Sequence, residues 1–250
     1  LEGTWNPSKH PWRNMCYVDY GFTRNAIGMG QTYDRATGIR TYRPENVNGN
    51  WNGGANVNFS RALDKAKLWR ISTRSGARYT HSVDLERTQD GSASQRSKVD
   101  NLVLSQTAGL TYQKDKLTIG VNGSIDWRNS WSERANFQTI RASDFNYGLT
   151  CQYELPWQLQ LATDMKMFSR RGYSDSAMNT DDLVWNASLS RSFLKGKLTA
   201  RLEGFDILSQ LSNTQYNVNA QGRYEQWRNA LSSYAMLRLM YKFSVMPKKR

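Results

Sequence analysis

No run of apolar residues in this chain approaches the roughly 18 to 20 that a membrane-spanning helix needs. With 38% apolar residues and a mean hydropathy of −0.73, a helical membrane protein is excluded. Cysteine is scarce: Cys16 and Cys151 stand alone, too few for a disulfide framework or a thiolate metal quartet. Histidine is equally scarce, with His10 in a turn-like segment and His81 near a strand end, so chemistry built on an imidazole base has few candidates. No leader is visible either, because Leu1 to Pro11 is polar and turn-rich, without the apolar core of a signal peptide. The expectation is a mature, processed or truncated chain, with truncation favoured.

What the sequence does have is rings and charge. Nine Trp, 13 Tyr and 8 Phe are too many for a solvating, disordered chain, despite the net charge of +13. A sheet closed around a polar lumen reconciles low hydropathy with many aromatics, because apolar residues point out, polar ones point in, and the two average out along the strand. The 34 Lys and Arg against 21 Asp and Glu would suit a phosphate-rich partner. They are dispersed rather than gathered into one stripe, so no nucleic-acid partner is expected.

Alternation of apolar and polar residues, the mark of a strand with two different environments, recurs about ten times. It is cleanest where Leu117, Ile119, Val121, Ile125 and Trp127 alternate with Thr118, Asn122, Ser124, Asp126 and Arg128. Phe145, Tyr147, Leu149, Cys151 and Tyr153 repeat it over a length near the 9 to 11 residues that span a bilayer. A third run, Trp69 to Leu85, is long enough to project past a membrane, and the last runs from Tyr234 to Phe243. Weaker versions cover Cys16 to Phe22, Trp51 to Phe59, Leu102 to Tyr112, Leu159 to Met167, Leu183 to Phe193 and Leu198 to Leu202.

The connectors alternate in length. Short ones (Leu63–Lys67, Gln113–Lys116, Leu155–Gln158, Leu194–Lys197) are interleaved with long polar ones (Arg87–Lys98, Ser130–Asn136, Arg170–Asp182, Ser209–Asn229). Short periplasmic turns and long extracellular loops are the asymmetry of outer-membrane barrels. Trp69, Trp127, Trp157, Trp185, Tyr112, Tyr153, Tyr241 and Phe243 near strand ends suit interfacial girdles. A soluble sandwich is the alternative, but it needs a second sheet over the apolar faces and typically has strands of about 5 to 6 residues. The fold class expected is therefore all-β, an antiparallel transmembrane β-barrel of about ten strands, either a complete small barrel or part of a larger one.

Alternation also locates the charge. Arg70, Arg74, Arg78, Arg128, Lys166, Arg201, Arg238 and Lys242 fall on inward faces with Asp84, Asp126, Glu154, Asp164 and Glu203. This mixture can fill a lumen as a structural network, hold a plug, or tune the passage of anionic solutes. Asp181 and Asp182 read as a hydrated loop boundary, and Cys16 and Cys151 as small outward residues. No catalytic, cofactor-binding or metal site is expected. The tail 244–250, with Lys248, Lys249 and Arg250, would meet anionic lipid headgroups on the periplasmic side.

Three stretches carry a resemblance: PENVNGNW at Pro44–Trp51, LTARLEGFDILSQL at Leu198–Leu211, and SYAMLRLMYKF at Ser233–Phe243. Together they resemble the end of TonB-dependent-receptor-type barrels of Bacteroidetes, and the chain is similar over nearly its whole length to the outer-membrane β-barrel family related to those receptors. The resemblance implies an outer-membrane location and a solute-uptake role in which residues 1–250 form the C-terminal part of a larger barrel. The implied partners are outer-membrane lipid, a plug domain, TonB-type energy coupling, and the barrel-assembly machinery, which would read the last strand through Tyr241 and Phe243. An outer-membrane anchor with adhesive, ligand-binding loops and no transport is the alternative.

Overall fold

The computed structural model describes residues 2–5, 12–34, 36–87, 94–133, 137–212, 214–219, 222–227 and 231–243. His10 and the basic tail 244–250 lie outside them. Strands dominate: β1 (Glu2–Trp5), β2 (Trp12–Thr23), β3 (Ala26–Tyr33), β4 (Arg40–Val47), β5 (Asn50–Ala62), β6 (Trp69–Arg87), β7 (Ser94–Lys114) and β8 (Leu117–Ser132). They continue with β9 (Ile140–Leu155), β10 (Leu159–Arg171), β11 (Asp181–Phe193), β12 (Leu198–Phe205), β13 (Thr214–Asn219), β14 (Gly222–Trp227) and β15 (Tyr234–Tyr241). No helix among the described residues is long and apolar enough to cross a membrane.

One antiparallel sheet takes eleven of these strands in the order β1-β2-β5-β6-β7-β8-β9-β10-β11-β12-β15. Ten of them have eight residues or more, and β1 adds four. The remaining strands form two separate hairpins, β3 with β4 and β13 with β14. Among the described residues no ladder joins β15 to β1, so the sheet has two free edges.

All four expected short connectors lie at one edge of the sheet, hereafter the turn edge. At the turn after β9, Trp157 and Gln158 both have positive φ, 62° and 60°, as the right-handed strand twist demands of a tight hairpin. Asp64 holds another turn, its carboxylate accepting from Leu68 N at 3.1 Å and Trp69 N at 2.9 Å. These backbone donors, Trp69 first, keep the Asp64 carboxyl below its usual range against a smaller effect of burial.

Three expectations of extent are corrected. Arg87–Lys98 is not one long connector, since β6 runs to Arg87 and β7 starts at Ser94; polar side chains there are still compatible with a backbone ladder. Ser209–Asn229 contains the β13–β14 hairpin, and the connection between β2 and β5 contains β3–β4. The last strand ends its ladder at Tyr241, paired with Leu198, leaving Phe243 beyond it and 85% exposed.

The register is staggered in one direction. Trp69 pairs with Tyr112 while β7 runs on to Lys114; Leu117 pairs with Tyr153 while β9 runs on to Leu155; Leu159 pairs with Arg191 while β11 runs on to Phe193. Each two-strand step advances by two residues, one per strand. That ratio, shear equal to strand number, tilts the strands of an eight-stranded barrel by about 36°.

The two faces differ throughout. Val121, Ile125, Leu149, Leu189, Leu237 and Leu239 share one face and are between 38% and 66% exposed. Facing water, each would forgo much of the roughly 1.5 to 3 kcal/mol that burying such a side chain provides. Buried apolar residues among the described ones number eight, and six of them, Val47, Leu85, Val99, Ala142, Tyr173 and Met178, lie at the loop edge opposite the turns rather than beneath the sheet. The apolar face is not uniform: Thr73, Ser75 and Gln106 interrupt it but bond one another, Ser75 Oγ to Gln106 Oε1 at 2.6 Å and Gln106 Nε2 to Thr73 Oγ1 at 2.6 Å. Mutual satisfaction is what an apolar surrounding requires of such groups.

Candidate functional site

The register assigns the nine charged candidates to the face opposite the apolar one. Arg70 shares a row with Thr111, Gly120, Thr150, Asp164 and Asn186. Arg78 and Arg128 flank Val103, Arg74 is opposite Thr107, Asp126 is opposite Ser105, and Arg201 faces Arg238 with Glu203 one position along that face.

Only some candidates meet. Arg78 Nη2 reaches Asp19 Oδ2 at 3.0 Å across the intervening strand β5. Gly54 makes that reach possible, because a Cβ there would lie 2.9 Å from Asp19 Oδ1. Glu203, 7% exposed at its side chain, holds Arg201 Nε at 2.9 Å and Arg238 Nη2 at 3.2 Å. Asp164 accepts from Asn186 Nδ2 at 2.9 Å, and Arg74 Nε donates to Asn58 Oδ1 at 2.6 Å. Arg70, Arg74 and Arg78 are spread along β6 rather than gathered at one point.

Between β9 and β12 this polar face forms a hollow of about 410 Å³, lined among others by Asp164, Lys166, Asn186, Ser188, Arg201 and Glu203. That size falls in the range of small-molecule sites. Small residues make the space: Gly148 cannot carry a Cβ without it meeting Met165 O at 2.5 Å, and Gly204, Ala162, Ala187 and Ser188 complete the floor.

The connection between β10 and β11 folds over the same face at the loop edge, which the sequence did not suggest. Gly172 turns it with φ 84°, a conformation that side-chain-bearing residues rarely adopt. Asn179 then clips the loop, accepting from Tyr173 N at 3.1 Å and donating to Tyr173 O at 2.9 Å. Tyr173 and Met178 are buried against Ala142, and Ile140 packs on them. The Tyr173 hydroxyl donates to Asp144, 2.9 Å away, which also takes Arg170 Nε at 3.2 Å. Burial, then the hydrogen bond to Asp144 and its charge, push the Tyr173 phenol above its usual value of 10.0.

Asp181 opens β11 bonded to Ser169 Oγ at 2.6 Å and to Arg171 Nη2 at 2.5 Å. His81 lies on the apolar face, where its Nδ1 is 2.7 Å from Asp100 Oδ1; the Tyr79 hydroxyl donates to the same oxygen at 2.6 Å. The Trp51 ring stacks on Tyr79 with centroids 4.9 Å apart. Cys16 and Cys151 are free thiols on the same face, opposite Val57 and Ile119. Among the described residues, no three His, Cys, Asp or Glu side chains converge as a metal site.

Aromatic rings on the apolar face concentrate at two levels. Trp69 and Tyr112 meet at the turn edge with centroids 4.8 Å apart, and Trp157, 76% exposed, stands in another turn of the same edge. Tyr20, Trp51, Tyr79 and Trp131 gather toward the loop edge. Trp69 and Tyr79 are ten positions apart on β6. At about 3.4 Å per residue and a tilt of about 40°, that is about 26 Å, close to the roughly 25 Å apolar band of outer-membrane barrels.

No protein-family model, curated protein or solved structure matches the chain.

Proposed function

We propose that the chain is an outer-membrane β-barrel segment, the barrel part of a TonB-dependent-receptor-like transporter for uptake of a polar solute. The observation that carries this reading is the sheet with one uncovered apolar face and one charged face. In water the apolar face would be an interaction patch far above the few hundred Å² usual for a monomer. In lipid it is simply the outside. The one-residue stagger per strand, the two aromatic levels and the short turns gathered at one edge support the same reading.

The two free edges bear on completeness. Unpaired backbone groups are not tolerated in hydrocarbon, so β1 and β15 need strand neighbours there. Pairing with further strands of a larger barrel supplies them, and a plug would then sit against the polar face. The barrel-assembly machinery would read β15 through Tyr241, with Phe243 just past the ladder.

A second reading, an outer-membrane anchor with adhesive loops, draws on the hairpins at the loop edge. Ile27, Met29 and Tyr42 on β3 and β4 are 75%, 56% and 56% exposed, a surface suited to a macromolecular partner. The test of the membrane assignment common to both is electrophoresis of the full-length protein from outer-membrane extracts, with and without boiling. A heat-modifiable shift is expected; recovery as a detergent-free soluble monomer would sink both readings. Solute uptake lost on deleting the protein, with cell adhesion unchanged, separates transport from anchoring.

A further inference from the structure

We infer that the polar face at the edge of the hollow between β9 and β12 is an anion-recognition site in which Arg201, which lines the hollow, and its cross-strand neighbour Arg238 bind a carboxylate or phosphate group of a water-borne solute. The inference rests on the solute-facing role proposed above for this face.

Arg201 and Arg238 are direct cross-strand partners. Like charges so placed repel and destabilise a ladder. The fold accommodates them with one carboxylate, Glu203, almost fully covered and ion-paired with both guanidiniums, although its Oε2 accepts no hydrogen bond. With Lys166 and Asp164, which also line the hollow, three positive charges against two negative leave this point positive. Glu203 and the 3.2 Å bond from Arg201 Nη2 to Ser188 Oγ also fix the forks in place.

The forks are not used up. Each guanidinium carries five donors, and the contacts named involve only Nε and Nη2 of Arg201 and Nη2 of Arg238. Their side chains are 44% and 50% exposed. Arg201 and Ser188 line both the 410 Å³ hollow and an adjoining one of about 360 Å³ that adds Ser190. Preorganised guanidinium forks with hydroxyls beside them match the planar or tetrahedral oxyanions that arginine recognises bidentately.

The test is calorimetric titration of inorganic phosphate into the full-length protein in detergent, at fixed ionic strength. Wild type is expected to bind. R201Q and R238Q should each weaken binding tenfold or more, and R201K should weaken it too, because the charge survives but the fork does not. R74Q, on the same face but bonded to Asn58, should stay within twofold. Equal losses in R74Q and R201Q, or wild type that binds no phosphate while keeping its heat-modifiable shift, would overturn the inference alone. Absence of that shift in wild type would instead overturn the barrel reading beneath it.

Discussion

At the scale of single residues, the polar face is organised by what is small as much as by what is charged. Asp19 and Arg78 reach each other over position 54, where a Cβ would crowd Asp19 Oδ1 at 2.9 Å. Tyr173 is the residue on which the folded-in loop turns. A hydrogen bond from a phenol to a carboxylate contributes about 1.5 to 3 kcal/mol, so Y173F should be cut within residues 172–180 roughly ten- to hundredfold faster than wild type at pH 8. The folded-state pKa of Tyr173 is raised above its unfolded value, so its contribution is complete below about pH 10 and is lost as pH rises through the folded value. Limited proteolysis across pH should show wild type converging on Y173F above about pH 10, with Y173F changing little over the same interval. Protection of wild type that instead fell between pH 5 and 8 would contradict the assignment.

At the scale of elements, alternation alone located the ten long strands, because a strand between two unlike environments writes its period into its side chains. It could also sort Arg70, Arg74, Arg78, Asp126, Arg128, Asp164, Arg201, Glu203 and Arg238 by face, since parity along a strand is all that a face requires. Contacts between strands were not legible. Nothing local to Asp19 announces Arg78, 59 positions away, and nothing in Gly172–Thr180 says that the loop folds over the polar face. The β3–β4 and β13–β14 hairpins were missed because glycine, proline and polar residues dominate them, Gly28, Gly30, Pro44 and the run TQYNVN among them. The ends of β6 and β7 were misread for the same reason. Parity also makes a test on β9. Arginine at Leu149, near the middle of the apolar face, should cost roughly 2 to 4 kcal/mol of stability in lipid, whereas arginine at Gln152 on the polar face should cost little. Denaturant midpoints of the vesicle-inserted variants measure the difference, and equal midpoints would rule out a lipid-facing β9.

For the molecule as a whole, the central claim is that one face of the sheet meets hydrocarbon and the other meets water. The apolar side chains, the aromatic levels about 26 Å apart and the one-residue stagger per strand each bear on it from a different direction. The most direct measurement is a nitroxide scan along β9 from Phe145 to Leu155 in the full-length, vesicle-inserted protein, reading collision with oxygen and with a water-soluble nickel complex at each position. The account predicts a two-residue period, with oxygen favoured at Phe145, Tyr147, Leu149, Cys151 and Tyr153 and nickel favoured at Asn146, Gly148, Thr150 and Gln152. Uniform access of the nickel complex at both sets of positions would contradict it.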